Sequence, residues 1–560
     1  MRLIEGRRLT GPGMLLDGPG VAVEVAFDDG EDVAAAMARW RERVADLATT
    51  LGGWAPRFAA RSHRAGASWA CSAPLDALNA AVEVAEYAVD PSLYDGDTPE
   101  RLHSAWRSER SPRLLDAVAR AATNGLPWLA DEDGFTLGLG KRSRTWPLAE
   151  LPAAETFSLD GIGTIPHALV TGTNGKTTTA RLLARMVREA GCTVGLTSTD
   201  GLYVDGEPME AGDWTGPGGA RRILRNVRID AAVLEAARGG VLRRGLATRW
   251  ADAAVVTNAS DDHLGEWGID DVAAMAEAKL LVRKGIRPGG VLVLNAGNPP
   301  LVAAASRLGL PDGPWRLAWF GVDGKHLILQ ANPSHDADLA FVADGAFVHL
   351  RGEAQTVVLP VAEVPITFGG AALHNVENAL AAILGAVALG LPWAAVRAGL
   401  AGFKPDATDN PGRMNVFHHD GATLLVDFAH NPDGLRQLAH LVDKWPSQRR
   451  LVVLGQAGDR SDEAIRDLAR TALLCRPDHV VLKESLHYLR GRPLGEVTAL
   501  LQDELRTLGV ADSAVTLCAD EAEAVVVALA WCQPGDLVLL LVHDDFAAAV
   551  ATLRERGALG

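Results

Sequence analysis

The sequence predicts an α/β protein of three domains: an N-terminal α/β module over residues 1–150, a central parallel-sheet domain built on a phosphate loop over 160–405, and a C-terminal Rossmann-like α/β domain over 410–560. Three observations carry this. A length of 560 residues exceeds what one hydrophobic core organises. From Ile165 onward, short apolar runs (LVTGT, TVGLTS, AAVLEA, AAVVTN, VLVLN) alternate with helix-period stretches, the pattern of a mostly parallel sheet with helices on both faces. After a Pro/Asp/Asn-rich joint at 404–411 the alternation restarts with LLVDF, LVVLG, HVVLK and DLVLLLV, so a second parallel sheet is expected.

In the first module, residues 21–27 alternate as a strand, and 32–51 and 73–89 carry helical apolar spacing. Residues 90–110 are polar and predict turns, the basic cluster Lys141, Arg142 and Arg144 predicts a solvated edge, and 148–164 predicts a linker. Within the central region, 325–363 has shorter β-like runs (HLILQA, AFVHL, TVVLPV) that predict a small antiparallel appendage.

Composition excludes several classes of function. A net charge of −16 argues against a nucleic-acid partner, which needs a basic face. Five scattered cysteines with no CxxC support neither a disulfide framework nor a zinc site and predict core thiols in a reducing cytoplasm. The longest apolar helix candidate, about 13 residues over 379–391, is too short to span a membrane. Residues 1–13 are polar and show no targeting signal, so a cytoplasmic location is expected.

The stretch VTGTNGKTTT at 170–179 lies between a buried strand and an amphipathic helix. Glycines at 172 and 175 let backbone N–H groups close around phosphate oxygens at a positive helix N-terminus, Lys176 adds a charge, and Thr177 offers a hydroxyl to Mg²⁺. The general motif has another glycine where this chain has Val170, so the loop is a shorter variant. Ligand sites in parallel sheets gather at the carboxyl ends of strands. There the chain carries Glu235 after one strand and Asn258, Asp261, Asp262 and His263 after the next. Taken singly, Glu235 fits a metal ligand or a salt-bridge partner equally, His263 fits a structural histidine better, and Lys279 fits a solvent-seeking helix lysine.

The ordered motifs GTNGKT (172–177), Glu235, TNxSDDHLG (257–265), AEAK (276–279), LHNVENALAA (373–382), PGRMN (411–415) and VDFAHNP (426–432) resemble the ATP-dependent Mur ligase superfamily. Within it, EAARGGVLRRGL (235–246), ITFGGAALHNVENALAA (366–382), GDRSDEAIRDLAR (458–470) and LRGRPLGE (489–496) are most similar to the Mur-like ligase part of the cyanophycin synthetases. RRLTGPG (7–13) resembles that family's amino domain and LGLGKRSRTWPL (137–148) the opening of its ATP-grasp domain, the rest of which is expected to be absent here.

The resemblance implies an ATP-dependent amide ligase that activates a carboxylate as an acyl phosphate and joins it to an amino acid or amine. It implies ATP and two Mg²⁺ ions. Nucleotide contacts fall on Gly172, Thr173, Asn174, Gly175, Lys176, Thr177, Thr178, Asn375, Asn378, Arg413 and Asp427. Metal ligands fall on Thr177, Glu235, His263 and a carbamoylated Lys279, with Lys176, Glu235, His263 and Lys279 as the catalytic set. His430, Asn431, Arg490 and Arg492 match the region that holds the incoming amino acid. The expected partners are a small-molecule or peptide carboxylate acceptor, an amino acid, a separate ATP-grasp protein and further copies of this chain. Two other readings stay open: a nucleotide-binding scaffold or regulatory partner of a full-length synthetase, and a cell-wall or folate-type ligase. The latter needs a uridyl- or pterin-binding front end, and residues 1–150 carry no Gly-rich nucleotide turn.

Overall fold

The computed structural model describes residues 1–262, 264–325 and 337–560. They form two compact units. The first comprises Met1–Phe341, His349–Thr356 and Leu380–Gly399; the second comprises Val342–Val348, Val357–Ala379 and Leu400–Gly560.

The first unit opens with strands Arg2–Leu9 (β1), Gly20–Ala26 (β2), Phe58–His63 (β3) and Gly66–Ser72 (β4), an antiparallel sheet of order β1-β2-β4-β3. Its apolar face, with Val21, Val23, Val25, Trp69 and Cys71, packs on helices Val33–Gly52 and Leu78–Val89. Asp32 caps the first of these, accepting from the Ala35 N–H at 3.0 Å. Residues 90–110, expected as turns, contain the helix Thr98–Glu109, because Leu102 and Trp106 at i, i+4 spacing bury one face. Strands Trp128–Asp131 (β5), Gly134–Leu137 (β6) and Arg144–Trp146 (β7) form a small antiparallel sheet. The expected linker at 148–164 is instead packed, with Leu151 and Phe157 buried against Phe135 and Leu137. Lys141 pairs with Asp230 and remains mostly exposed.

The central sheet contains His167–Thr171 (β8), Val194–Ser198 (β9), Gly201–Val204 (β10), Glu207–Ala211 (β11), Ala231–Glu235 (β12), Ala251–Val256 (β13), Ile286–Asn295 (β14) and Arg316–Asp323 (β15) in the order β11-β10-β9-β12-β8-β13-β14-β15. From β9 to β15 every pairing is parallel, and β10 and β11 add an antiparallel edge. The crossovers put β8 between β12 and β13, with Val170 opposite Glu235 and Thr171 opposite Val256. Three loops therefore leave the sheet side by side. Strands Asp338–Ala343 (β16), Ala346–Arg351 (β17) and Ala354–Pro360 (β18) follow, and the division between the units runs through them. The runs AFVHL and TVVLPV thus form strands, whereas HLILQA lies outside the described residues.

The second unit contains Asn415–His419 (β19), Ala422–Asp427 (β20), Arg450–Leu454 (β21), His479–Lys483 (β22), Val515–Cys518 (β23) and Leu537–Leu541 (β24) in the order β19-β20-β24-β21-β22-β23, parallel except for β19. Leucine and valine cores cover both faces, as expected for a Rossmann-like sheet. The five cysteines are all free thiols, and Cys71, Cys475 and Cys518 are buried. No helix among the described residues is long and apolar enough to cross a membrane.

Candidate active site

The site in the first unit starts at the end of β8. Gly172 has φ +153, and a Cβ there would stand 1.8 Å from Thr257 Oγ1, so only glycine fits between the adjacent strand ends. Gly175, at φ +80, then turns the chain into the helix Lys176–Glu189. Thr173 and Asn174 direct their backbone N–H groups to Asn258 Oδ1 at 3.1 and 2.9 Å, and Thr257 Oγ1 donates to the Asn174 carbonyl at 2.6 Å. The end of β13 is thus a brace for the loop. Asn295 and Asn298 hold that end in turn, donating to the Thr257 and Ala259 carbonyls at 3.0 and 3.2 Å. Lys176 is half-buried and donates to the Thr173 carbonyl at 2.9 Å.

At the end of β12, Glu235 is 1% exposed. It accepts from the Thr177 hydroxyl at 3.2 and 3.0 Å and from the Thr199 hydroxyl at 3.1 Å. One carboxylate and two hydroxyls beside a phosphate loop form a hard-oxygen donor set that suits Mg²⁺, an ion that fills its remaining positions with water and phosphate oxygens. Among the described residues no group of three or more His, Cys, Asp and Glu gathers at metal-binding distance. His263 lies outside the described residues.

Lys279 ends the helix Val272–Lys279, and it does not seek solvent. It is buried and donates to the Gly172 carbonyl at 2.8 Å. Burial first, then the charges of Lys176 and Arg238, hold its pKa well below the ordinary lysine value, against the pull of Asp262 and Glu235. Burial thus disfavours the charged ammonium at this position. The structure therefore brings Lys176, Thr177, Glu235 and Lys279 to one place.

Thr178 is buried in the first turn of helix Lys176–Glu189; the other predicted residues not yet placed belong to the second unit. Asn375 donates to the Ile366 carbonyl at 2.9 Å and accepts from Asn378 at 3.1 Å, and both are buried. Asp427 accepts from the Met414 and Ala429 N–H groups, each at 2.8 Å; burial raises its pKa, opposed by Arg413 and those backbone donors. The Arg413 guanidinium lies 4.4 Å from the Phe428 ring centroid. His430 Nδ1 is 3.1 Å from the Phe428 carbonyl, and Asn431 caps the helix Pro432–Lys444 through the Gly434 N–H at 2.8 Å. Arg492 donates to the Gly458 and Arg460 carbonyls, both at 2.7 Å, and pairs with Asp462 and Glu496. Arg490 keeps an exposed guanidinium beside the Tyr488 ring.

Sequence reasoning missed Thr199, the bracing role of Asn258, and Arg238, which is buried and pairs with Glu266 at 2.5 Å. Thr199 follows the strand TVGLTS, and the pairing of that strand with the Glu235 strand, which the sequence does not order, brings the two together.

Residues 170–386 match the Mur ligase middle domain, and residues 412–541 match the Mur ligase glutamate ligase domain. The chain is similar to cyanophycin synthetase of Crocosphaera subtropica, 36% identical over 393 residues, covering 70% of this chain and 44% of that protein. It is also similar to UDP-N-acetylmuramyl-tripeptide synthetase of Deinococcus radiodurans, 30% identical over 398 residues, covering 69% of this chain and 74% of that protein. A bifunctional folylpolyglutamate synthase/dihydrofolate synthase of Yersinia pestis, solved with AMPPNP and a manganese ion, is 21% identical with a TM-score of 0.47, covering 70% and 88% of the two chains. The chain spans less than half the length of the cyanophycin synthetases it matches. Two consecutive domains matched in order, and a relative covered over most of its length, establish that this chain belongs to the Mur ligase family.

Proposed function

We propose that the protein is an ATP-dependent amide ligase: it activates a carboxylate as an acyl phosphate and joins it to an amino acid or amine, releasing ADP and phosphate. The observation that carries this is the meeting of Thr177, Glu235 and Thr199 beside a braced phosphate loop, with Lys279 buried against the loop's own carbonyl. A carboxylate attacking a γ-phosphate is a meeting of two anions, so catalysis rests on positioning and charge neutralisation. Bound Mg²⁺ would supply much of that positive charge. Thr177 and Glu235 would hold one ion, and His263 with a carbamoylated Lys279 a second. The carbamate forms when the neutral Lys279 amine adds to CO₂, making an N–C bond and releasing one proton. Lys176 stabilises charge on the transferred phosphoryl group.

In the second unit, the resemblance to the Mur ligases marks Asn375, Asn378, Arg413 and Asp427 as candidate nucleotide-contacting residues. Arg490, with its exposed guanidinium, suits the α-carboxylate of the amino acid. The acceptor is a small-molecule or peptide carboxylate, and similarity to the cyanophycin synthetases supports an aspartyl-type acceptor extended by a separate ATP-grasp protein.

The test is phosphate release from Mg-ATP across acidic acceptors, aspartyl and β-aspartyl peptides included, each paired with free amino acids. Turnover that requires both partners supports the ligase. If no pair stimulates turnover, while ATP binds and Lys279→Ala behaves like the parent, the ligase reading fails and a nucleotide-binding scaffold replaces it.

A further inference from the structure

The antiparallel sheet β1–β4 has a second face that is polar and yet buried. Arg7 on β1, Glu24 on β2 and Ser68 on β4 are 7%, 8% and 5% exposed. The register sets Glu24 beside Ser68, and Ser68 beside Arg61 of β3. Glu24 ties the row together, pairing with Arg7 at 2.7 Å, accepting from Ser68 at 2.8 Å and lying 3.3 Å from His63 Nε2. One-face burial is ordinary for such a sheet; an organised charged row with little solvent access needs a reason.

The row is covered by the turn around Trp267. The Arg7 guanidinium sits 4.7 Å from the Trp267 ring centroid, Arg243 lies 5.5 Å from it, and Arg61 donates to the Trp267 carbonyl at 3.4 Å. Arg7 Nε and Nη1 have no oxygen partner among the described residues, which leaves the indole face as their neighbour. Gly268 packs so tightly on His63 that a Cβ would stand 2.8 Å from the His63 Cβ, and the Arg64 N–H donates to Asp270 at 3.0 Å. Trp267 itself is held at φ +54, a left-handed conformation that is strained for a bulky residue and persists only where its surroundings impose it. Directly after this turn, Asp271 caps the helix Val272–Lys279 through the Ala274 N–H at 2.7 Å.

We propose that Arg7 is a positioning residue for Lys279: by holding Trp267, the N-terminal sheet fixes where the helix Val272–Lys279 begins and hence where its terminal amine meets the phosphate loop. A second grip supports this. Thr10 N–H donates to the Arg244 carbonyl at 2.9 Å, Leu246 N–H to the Pro12 carbonyl at 2.8 Å, and Lys284 to the Gly13 carbonyl at 2.8 Å, so the chain after β1 also clasps segments downstream of Glu235 and of Lys279. The N-terminal module is then part of the catalytic apparatus. The catalytic consequence rests on the ligase reading above; the placement of the helix does not.

The experiment uses the full chain with Arg7→Met, Trp267→Ala and Trp267→Phe, reading hydrogen exchange by mass spectrometry together with kcat and KM for ATP in the phosphate-release assay. Arg7→Met and Trp267→Ala are expected to speed exchange about tenfold in peptides covering 264–285, with strands β8 and β12 unchanged. kcat should fall about tenfold or more while KM for ATP stays within about twofold, and Trp267→Phe should restore both. Unchanged exchange over 264–285 in both variants overturns the proposal, as does local loosening with parental kcat. If the parent shows no turnover, the ligase reading falls, and the exchange pattern alone decides whether the N-terminal sheet places the helix.

Discussion

The Thr177 hydroxyl donates to Glu235 Oε2 at 3.0 Å, although the two residues are 58 apart in sequence. Parallel pairing of β8 with β12 makes the contact. A buried carboxylate that accepts from two hydroxyls, with the Thr199 N–H at 3.4 Å, is a ready cation ligand. Glu235→Gln should lower the Mg²⁺-dependent kcat about 10²–10³-fold. Its melting temperature should not fall, because an amide is cheaper to bury than a carboxylate. Calorimetry of ADP binding without Mg²⁺ should give the parental affinity.

Gly172 tolerates no side chain. Gly172→Ala drives a methyl group into Thr257 Oγ1 at a backbone angle disfavoured for alanine, and should cost about 2–3 kcal/mol of stability. Nucleotide binding should be lost with it, because the same loop would carry the phosphates. Denaturant titration and ADP binding by fluorescence check the two effects.

Lys279 predicts a sign for pH dependence. Its folded pKa lies well below the unfolded value near 10.5, so between the two the unfolded chain binds more protons and the lysine's penalty on stability shrinks as pH rises. In CO₂-free buffer, Lys279→Met should therefore be more stable than the parent near neutral pH, with the gap closing toward pH 10. Chemical denaturation at several pH values measures this. With ¹³C-bicarbonate, the parent should show a carbamate resonance that Lys279→Met lacks.

Much of this site was legible because its chemistry is local. Gly172, Gly175, Lys176 and Thr177 fall within one turn, and Glu235 marks itself as the polar end of an apolar strand. Lys279 was assigned only through the company of other motifs, because helix periodicity alone sends a lysine to solvent. Contacts that depend on sheet order were not legible: Thr199 on Glu235, Asn258 on the loop backbone, and Trp267 on the N-terminal sheet. Segment 148–164 and helix Thr98–Glu109 were hidden by polar composition, since two buried aromatics, Phe157 and Trp106, decide their packing. The two arginines of LRGR look alike in sequence, yet their surroundings separate them.

That separation is testable. Arg492 spends its donors on Gly458, Arg460, Asp462 and Glu496, so Arg492→Ala should lower the melting temperature by several degrees. Arg490→Ala should leave the melting temperature unchanged and raise KM for the amino acid about tenfold, a loss of one charge-assisted contact. Steady-state kinetics and calorimetry of the two variants distinguish the roles.

In the second unit, Lys483 and Glu521 form a buried pair at 2.6 Å, and Glu521 also accepts from the N–H groups of His543, Asp544 and Asp545. Burial opposes the Glu521 charge, but Lys483 and the backbone donors outweigh it and hold the pKa down to about 2. The pair's stabilisation is therefore present above the ordinary value of 4.5 and is lost as pH falls from there through about 2. Glu521→Gln should destabilise by about 3–5 kcal/mol at neutral pH by leaving Lys483 buried without a counter-charge. It should also flatten that part of the acid limb in a pH-stability series.

Acyl-phosphate chemistry leaves an isotopic trace. When the acceptor carboxylate attacks the γ-phosphate, one of its oxygens becomes the bridge to phosphorus, and it departs with phosphate when the amine displaces it. With an acceptor labelled with ¹⁸O in its carboxylate, chosen from the aspartyl and β-aspartyl peptides that stimulate turnover, mass spectrometry should find one ¹⁸O in each phosphate released and an amide in the product. Unlabelled phosphate, or phosphate release with no amide formed, would contradict the ligase assignment.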